Sequence, residues 1–180
     1  MHIIGIVIAL ATAVFWVGRA ARSAKDIADM ASTLKNMKRP NRFKTRSAKR
    51  DLSSIDEPMD AAVILMICVA RLSSFGQMGE AQISDGAHAK ITELLVGYMQ
   101  VSKSEAGELL TQMLWTTSKA TEPETILSPM TNIISKQINH KDASDLSTML
   151  GDVANIDGIA NSDQTVFITR FENRMGVTSP

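Results

Sequence analysis

Apolar positions fall into one continuous block followed by a series of periodic ones. From Ile3 to Val17 every residue is apolar or small. A helix running from Met1 to Gly18 would be about 27 Å long at 1.5 Å per residue, close to the roughly 30 Å hydrocarbon core of a bilayer. Beyond it the chain stays helix-prone to about Met37. There Ala20, Ala24, Ile27, Ala31 and Leu34 form a narrow stripe, too short and too alanine-rich to specify a coiled coil. That stretch reads as a juxtamembrane helix, with weak homo-oligomerisation as the alternative.

From residue 52 onward the spacing changes to that of amphipathic helices, six in all. The first is expected to be capped by Asp56 with Pro58 in its first turn, and is apolar on nearly every side from Ala61 to Ala70, which predicts a central buried helix. The second starts near Ser84 and carries Ile91, Leu94, Leu95, Tyr98 and Met99. The third begins with a capping box, Ser102 to Glu105, ahead of Ala106, Leu109, Leu110, Met113 and Leu114. A second box, Thr121 to Glu124, is expected to open the fourth, with Ile126, Leu127, Met130, Ile133, Ile134 and Ile138 as its stripe. The fifth runs from about Asp142 to Asn155 through Leu146, Met149, Leu150, Val153 and Ala154. The sixth starts near Asn161 and is expected to bury Val166, Phe167, Phe171 and Met175. No stretch alternates with period two, so the fold class is all-α. The domains are a transmembrane anchor (1–18), a juxtamembrane helix and basic linker (19–51), and a helical domain (52–177).

The formal net charge of zero conceals a division. Residues 1–50 hold eleven Lys and Arg against two acids, a balance of +9; residues 51–180 hold eight against seventeen, a balance of −9. No cation precedes the apolar block, whereas Arg19, Arg22 and Lys25 follow it. That order suits an uncleaved anchor with the C-terminal domain on the cytoplasmic side of a bacterial-type inner membrane, and not a secretory signal, which begins with cations. Lys38, Arg39, Arg42, Lys44, Arg46, Lys49 and Arg50 then form an acid-free run. Beside a membrane such a run is attracted to anionic lipid headgroups. Nucleic acid would satisfy the charge as well, but neither interleaved aromatics nor a binding motif accompanies it.

The helical part carries an internal repeat. A shift of 76 residues sets Ile83 on Ile159, Ile91 on Phe167, Leu95 on Phe171 and Met99 on Met175, and a shift of 84 sets Val69-Ala70 on Val153-Ala154. The eight-residue difference places an insertion around Ser74 to Ala81. Each copy is a helix, a turn with one isoleucine, and another helix.

The run Ala154-Asn155-Ile156-Asp157-Gly158-Ile159, followed by Asp163-Gln164, resembles the second-hairpin signature of the TerB-like family. That family includes the tellurite-resistance protein TerB and the N-terminal part of the membrane-anchored co-chaperone DjlA. The likeness covers about residues 58–177, through short and degenerate motifs. The first copy departs from the pattern, with Ser73 or Ser74 where the family has an acid. The resemblance implies a bundle of two pseudo-repeated helical hairpins. With the anchor and basic stretch, it implies a DjlA-like arrangement serving envelope, metal or tellurite stress through an unidentified protein partner. A His-Pro-Asp tripeptide is missing, so stimulation of a chaperone ATPase is not expected.

Candidate chemistry is sparse. Cys68 is the single cysteine and lies within the apolar run, which suits a buried hydrophobe. His88 and His140 have no second ligand at a helical spacing. The Asp157-Gly158 turn is not an EF-hand loop, since Val153 and Gln164 would fall where acids are required. A looser divalent-cation site stays open, because the resemblance implies cation binding through acids near these turns, here Asp157 and Asp163. The alternative is that Asp157 and Gly158 make the turn while Asp163 complements a helix dipole. Nothing pairs a nucleophile with a base, and no enzyme activity is expected.

Overall fold

A computed structural model describes residues 52–73 and 82–177. They form six α-helices after a short 3-10 turn at Leu52–Ser54: α1 (Pro58–Arg71), α2 (Asp85–Met99), α3 (Lys103–Thr116), α4 (Pro123–Ile134), α5 (His140–Ala154) and α6 (Ser162–Met175). There is no strand among the described residues, so the described chain is all-α. No described helix is long and apolar enough to cross a membrane. The expected anchor (1–18) and the whole of the juxtamembrane helix and basic linker (19–51) lie outside the described residues.

The run with no polar face became the centre. Every residue of α1 except Met59 is buried, and α1 touches all five other helices. Its lining comes from the stripes of the others: Ile91 and Leu95, Leu109 and Leu110, Ile126 and Leu127, Leu150, and Phe171 are all inaccessible. A helix that buries apolar residues around its whole circumference must have neighbours on every side. Those neighbours bury one stripe each and leave their polar faces to solvent.

Local signals set most of the starts. Ser84 accepts the backbone N–H of Ala87 at the head of α2, and Ser102 and Glu105 form the reciprocal box at the head of α3. Asn161 and Gln164 form another at α6, unforeseen because its residues are Asn and Gln. Two expected caps moved. Glu57, not Asp56, precedes α1, and Glu122, not Thr121, precedes α4, both without a side-chain cap bond. In each case proline occupies the first helical position, which makes its immediate predecessor the cap residue. Helix α5 starts at His140 because Asn139 accepts from Asp142 N–H and captures the helix two residues early.

The repeat pairs do not behave alike. Ile91 and Phe167 are both buried, as are Leu95 and Phe171. Val166, expected inside, is 47% exposed. Ile83 packs against the core, whereas its counterpart Ile159 is 97% exposed and Ile156 takes the inward position. The reason is Gly158, whose φ of +131° turns the chain between the two isoleucines. Pairing differs too. Helices α5 and α6 pack along each other, while α2 packs chiefly on α3 and touches α1 lightly. With its other sides taken by α3, α4 and α5, α1 has little surface left for α2.

Candidate functional site

The two ends of α1 carry most of the unusual chemistry. At its C-terminal end Arg71 is fully buried, and its Nη1 donates to the carbonyl (3.0 Å) and hydroxyl (2.8 Å) of Thr117. Its Nη2 donates to the carbonyl of Leu114 at 3.2 Å. The guanidinium therefore caps the last turn of α3, where free carbonyls and the negative dipole end collect. Two amides tie α6 to the same end of α1: Asn161 Nδ2 donates to Leu72 O at 2.7 Å, and Gln164 Nε2 to Val69 O at 3.0 Å. One turn before Arg71, burial pushes the Cys68 thiol up to about 12, against a smaller opposing pull from the guanidinium. Cys68 stays a protonated thiol at neutral pH and is no nucleophile. A cation closing a run of ten apolar residues was the one sequence sign of Arg71's role.

The acidic turn between α5 and α6 belongs to this end as well. Asp157 Oδ2 accepts the Ser84 hydroxyl at 3.2 Å, which places the carboxylate over the first turn of α2. Gly86 permits the approach, since a Cβ there would come within 3.0 Å of Ile156 Cγ2. Asn155 closes the turn by accepting from Ala160 N–H. Asp163 lies in the first turn of α6. Each carboxylate thus stands at a different helix start, where the dipole favours a negative charge. Among the described residues, no group of three or more His, Cys, Asp or Glu side chains is placed to hold a metal ion. His88 is exposed on α2; His140 Nε2 stands 2.8 Å from Gly176 O and links the start of α5 to the end of α6. The basic positions Lys38, Arg39, Arg42, Lys44, Arg46, Lys49 and Arg50 lie outside the described residues.

At the opposite end of α1 a pocket opens to solvent. Its walls are Pro58, Met59 and Ala62 of α1 and Tyr98 and Met99 of α2. Ile134 and Ile138 close one side, and Asp142, Asp145, Leu146 and Met149 of α5 the other. The cavity is about 30 Å³, room for roughly two water molecules. Its surface is almost wholly apolar, and three thioethers make it adaptable in shape. Asp142 and Asp145 stand one turn apart on α5 and give it an acidic side. The described ion pairs, Lys90 with Glu93 and Asp152 and Glu124 with Arg170 and Arg174, leave Asp142 to none of those cations. The Tyr98 phenol is held above its ordinary range, first by burial and then by the nearby charges of Asp152 and Asp145. It remains a neutral donor at physiological pH. This site was invisible in the sequence because it is assembled from three stretches of the chain, 58–62, 98–99 and 134–149, that lie far apart.

Such a pocket can hold an apolar side chain and attract a cation beside it. Its titratable lining groups are the Asp142 and Asp145 carboxylates and the Tyr98 phenol. Comparison with protein-family models, with curated proteins and with solved structures finds no match.

Proposed function

We propose that this protein is a membrane-tethered interaction module of TerB-like type. Residues 1–18 anchor it in an inner membrane, the cations from Lys38 to Arg50 rest on anionic headgroups, and the helical domain presents its pocket to a protein partner in the cytoplasm. The observation that supports this reading most is the pocket itself, apolar within and acidic on one side, which suits an apolar side chain flanked by cations. The membrane part rests on the uninterrupted apolar run Ile3 to Val17 and the cations that follow it. The link to envelope, metal or tellurite stress rests on the family resemblance alone.

Fractionation and protease protection test the reading together. The full chain is expected in the membrane fraction, and protease added outside spheroplasts is expected to spare residues 52–180. Recovery in the soluble fraction, or rapid digestion from outside, would overturn the tethered cytoplasmic arrangement.

A further inference from the structure

The pocket's chemistry is complementary to a stretch of this same chain. Between Lys38 and Arg50 there is a single aromatic residue, Phe43, with Arg42 on one side and Lys44 on the other. We infer that this basic segment is the pocket's own occupant when no anionic surface holds it: the Phe43 ring lies across Met59, Met99 and Met149, and Arg42 and Lys44 pair with Asp142 and Asp145.

Reach permits it whatever path the chain takes. From Leu52 to Pro58, at the pocket wall, there are six residue steps, at most about 21 Å; from Leu52 back to Phe43 there are nine, up to about 31 Å. Spacing permits it as well. Asp142 and Asp145 are three apart on a helix, roughly 5–6 Å between Cβ atoms. Arg42 and Lys44 are two apart, about 7 Å if extended. In an extended segment they face away from the Phe43 ring, but their long stems can turn back to a rim beside it. Charge favours the pairing, because residues 1–50 carry +9 and the remainder −9. A linker of this length also holds the segment at a local concentration of order millimolar, so the contact can be intrinsically weak and still form.

The consequence is a competition. The cations that rest on lipid headgroups in the proposed function are those that pair with α5 in the inference, so headgroups and pocket compete for them. The inference deepens the interaction-module reading and rests on the pocket being a seat for a cationic, apolar segment.

The test uses the full chain in neutral maltoside micelles, which offer no anionic headgroup. In one arm Thr45→Cys, which leaves the Phe43 ring in place, is combined with Met99→Cys in the pocket, or with Trp115→Cys near the opposite end of α1. Cys68 is buried and protonated and stays out of the reaction. Under mild oxidation the Thr45/Met99 pair is expected to close an intramolecular disulfide at least about tenfold faster than the Thr45/Trp115 pair, as local concentration at a seat requires. Asp142→Lys with Asp145→Lys should erase the difference. In the second arm, methyl-labelled methionine spectra are compared between wild type and Phe43→Ala. Loss of the ring should shift the methyls of Met59, Met99 and Met149 and leave the inaccessible Met66 and Met113 in place. Equal disulfide rates overturn the inference, as do unmoved methyls, and so does a dimer-sized product, which would make a second copy the occupant. None of these results touches membrane fractionation, so the inference can fail while the proposed function stands.

Discussion

The two ends of α1 are built on opposite principles. At the C-terminal end bonds run in fixed directions: Arg71 Nη1 and Nη2 donate to the carbonyls of Thr117 and Leu114, Asn161 to that of Leu72, Gln164 to that of Val69, and the Ser84 hydroxyl to the Asp157 carboxylate. At the N-terminal end the pocket is made of thioethers and aliphatic carbon, which pack without directional demands. Directional bonds in a low-dielectric interior specify one arrangement and penalise every other. Methionines tolerate many. The first end therefore fixes how α3 and α6 seat on the central helix, while the second can reshape around something that binds. Trp115, 70% exposed, and Ile159 are apolar residues on the surface near the first end, but isolated exposed residues of this kind are ordinary. Concavity and charge distinguish the other end.

If that contrast holds, the largest effect comes from the directional end. Arg71→Ala is expected to cost about 3–5 kcal/mol in urea unfolding, through lost packing and buried carbonyls left without a donor. A loss below about 1 kcal/mol would mean that the clamp does not hold the fold together.

Next comes pH. The folded state keeps the Cys68 proton up to about 12, while the unfolded thiol releases it from its ordinary value of 9.0. The folded state then binds more protons than the unfolded, so stability is flat below about pH 9 and falls as pH rises above it. Between pH 8 and pH 10.5 about 2 kcal/mol should be lost. The raised Tyr98 phenol adds to the fall above 10.0, in the same direction. Cys68→Ala should flatten the profile up to about pH 10, and a profile unchanged by that substitution would place the dependence elsewhere.

The pocket end should be more forgiving. Met99→Ala, at a half-buried position, is expected to cost less than about 1.5 kcal/mol, below the usual range for a buried methionine. A larger loss would make the pocket part of the core. The smallest effect is expected at Asp157→Asn: less than about 1 kcal/mol, the scale of a carboxylate near a helix N-terminus. Millimolar calcium, magnesium or zinc should leave the melting temperature of the wild type unchanged, since a ligand bound only by the folded state would raise it. A rise that Asp157→Asn abolished would give that turn a cation.

What the sequence revealed followed from how local each feature is. The six helices were legible because each stripe repeats within one segment, and the starts at Ser84 and Ser102 because a cap acts within three residues, whereas the box of Asn161 and Gln164 was not. The start of α4 was misjudged by one residue, since Thr121 and Glu122 both offer a side-chain oxygen and only proline's place at the first helical position decides between them. Ile156 and Ile159 could not be ranked, because the backbone turn at Gly158 is not visible in periodicity. Arg71 was legible as a cation but not as a buried one, since its partners lie more than forty residues away. The pocket was not legible at all. No single segment carries its pattern, and it exists only once α1, α2 and α5 are brought together.

The most direct test of the contrast is a paired photo-crosslink. Benzoylphenylalanine placed at Met99 in the full chain, irradiated in cells, should yield a discrete adduct in the membrane fraction. The adduct should vanish with Asp142→Lys and Asp145→Lys, and the same probe at Trp115 should yield none. Adducts from Trp115 and none from Met99 would contradict the account, placing the working surface at the end assigned here to holding the fold together.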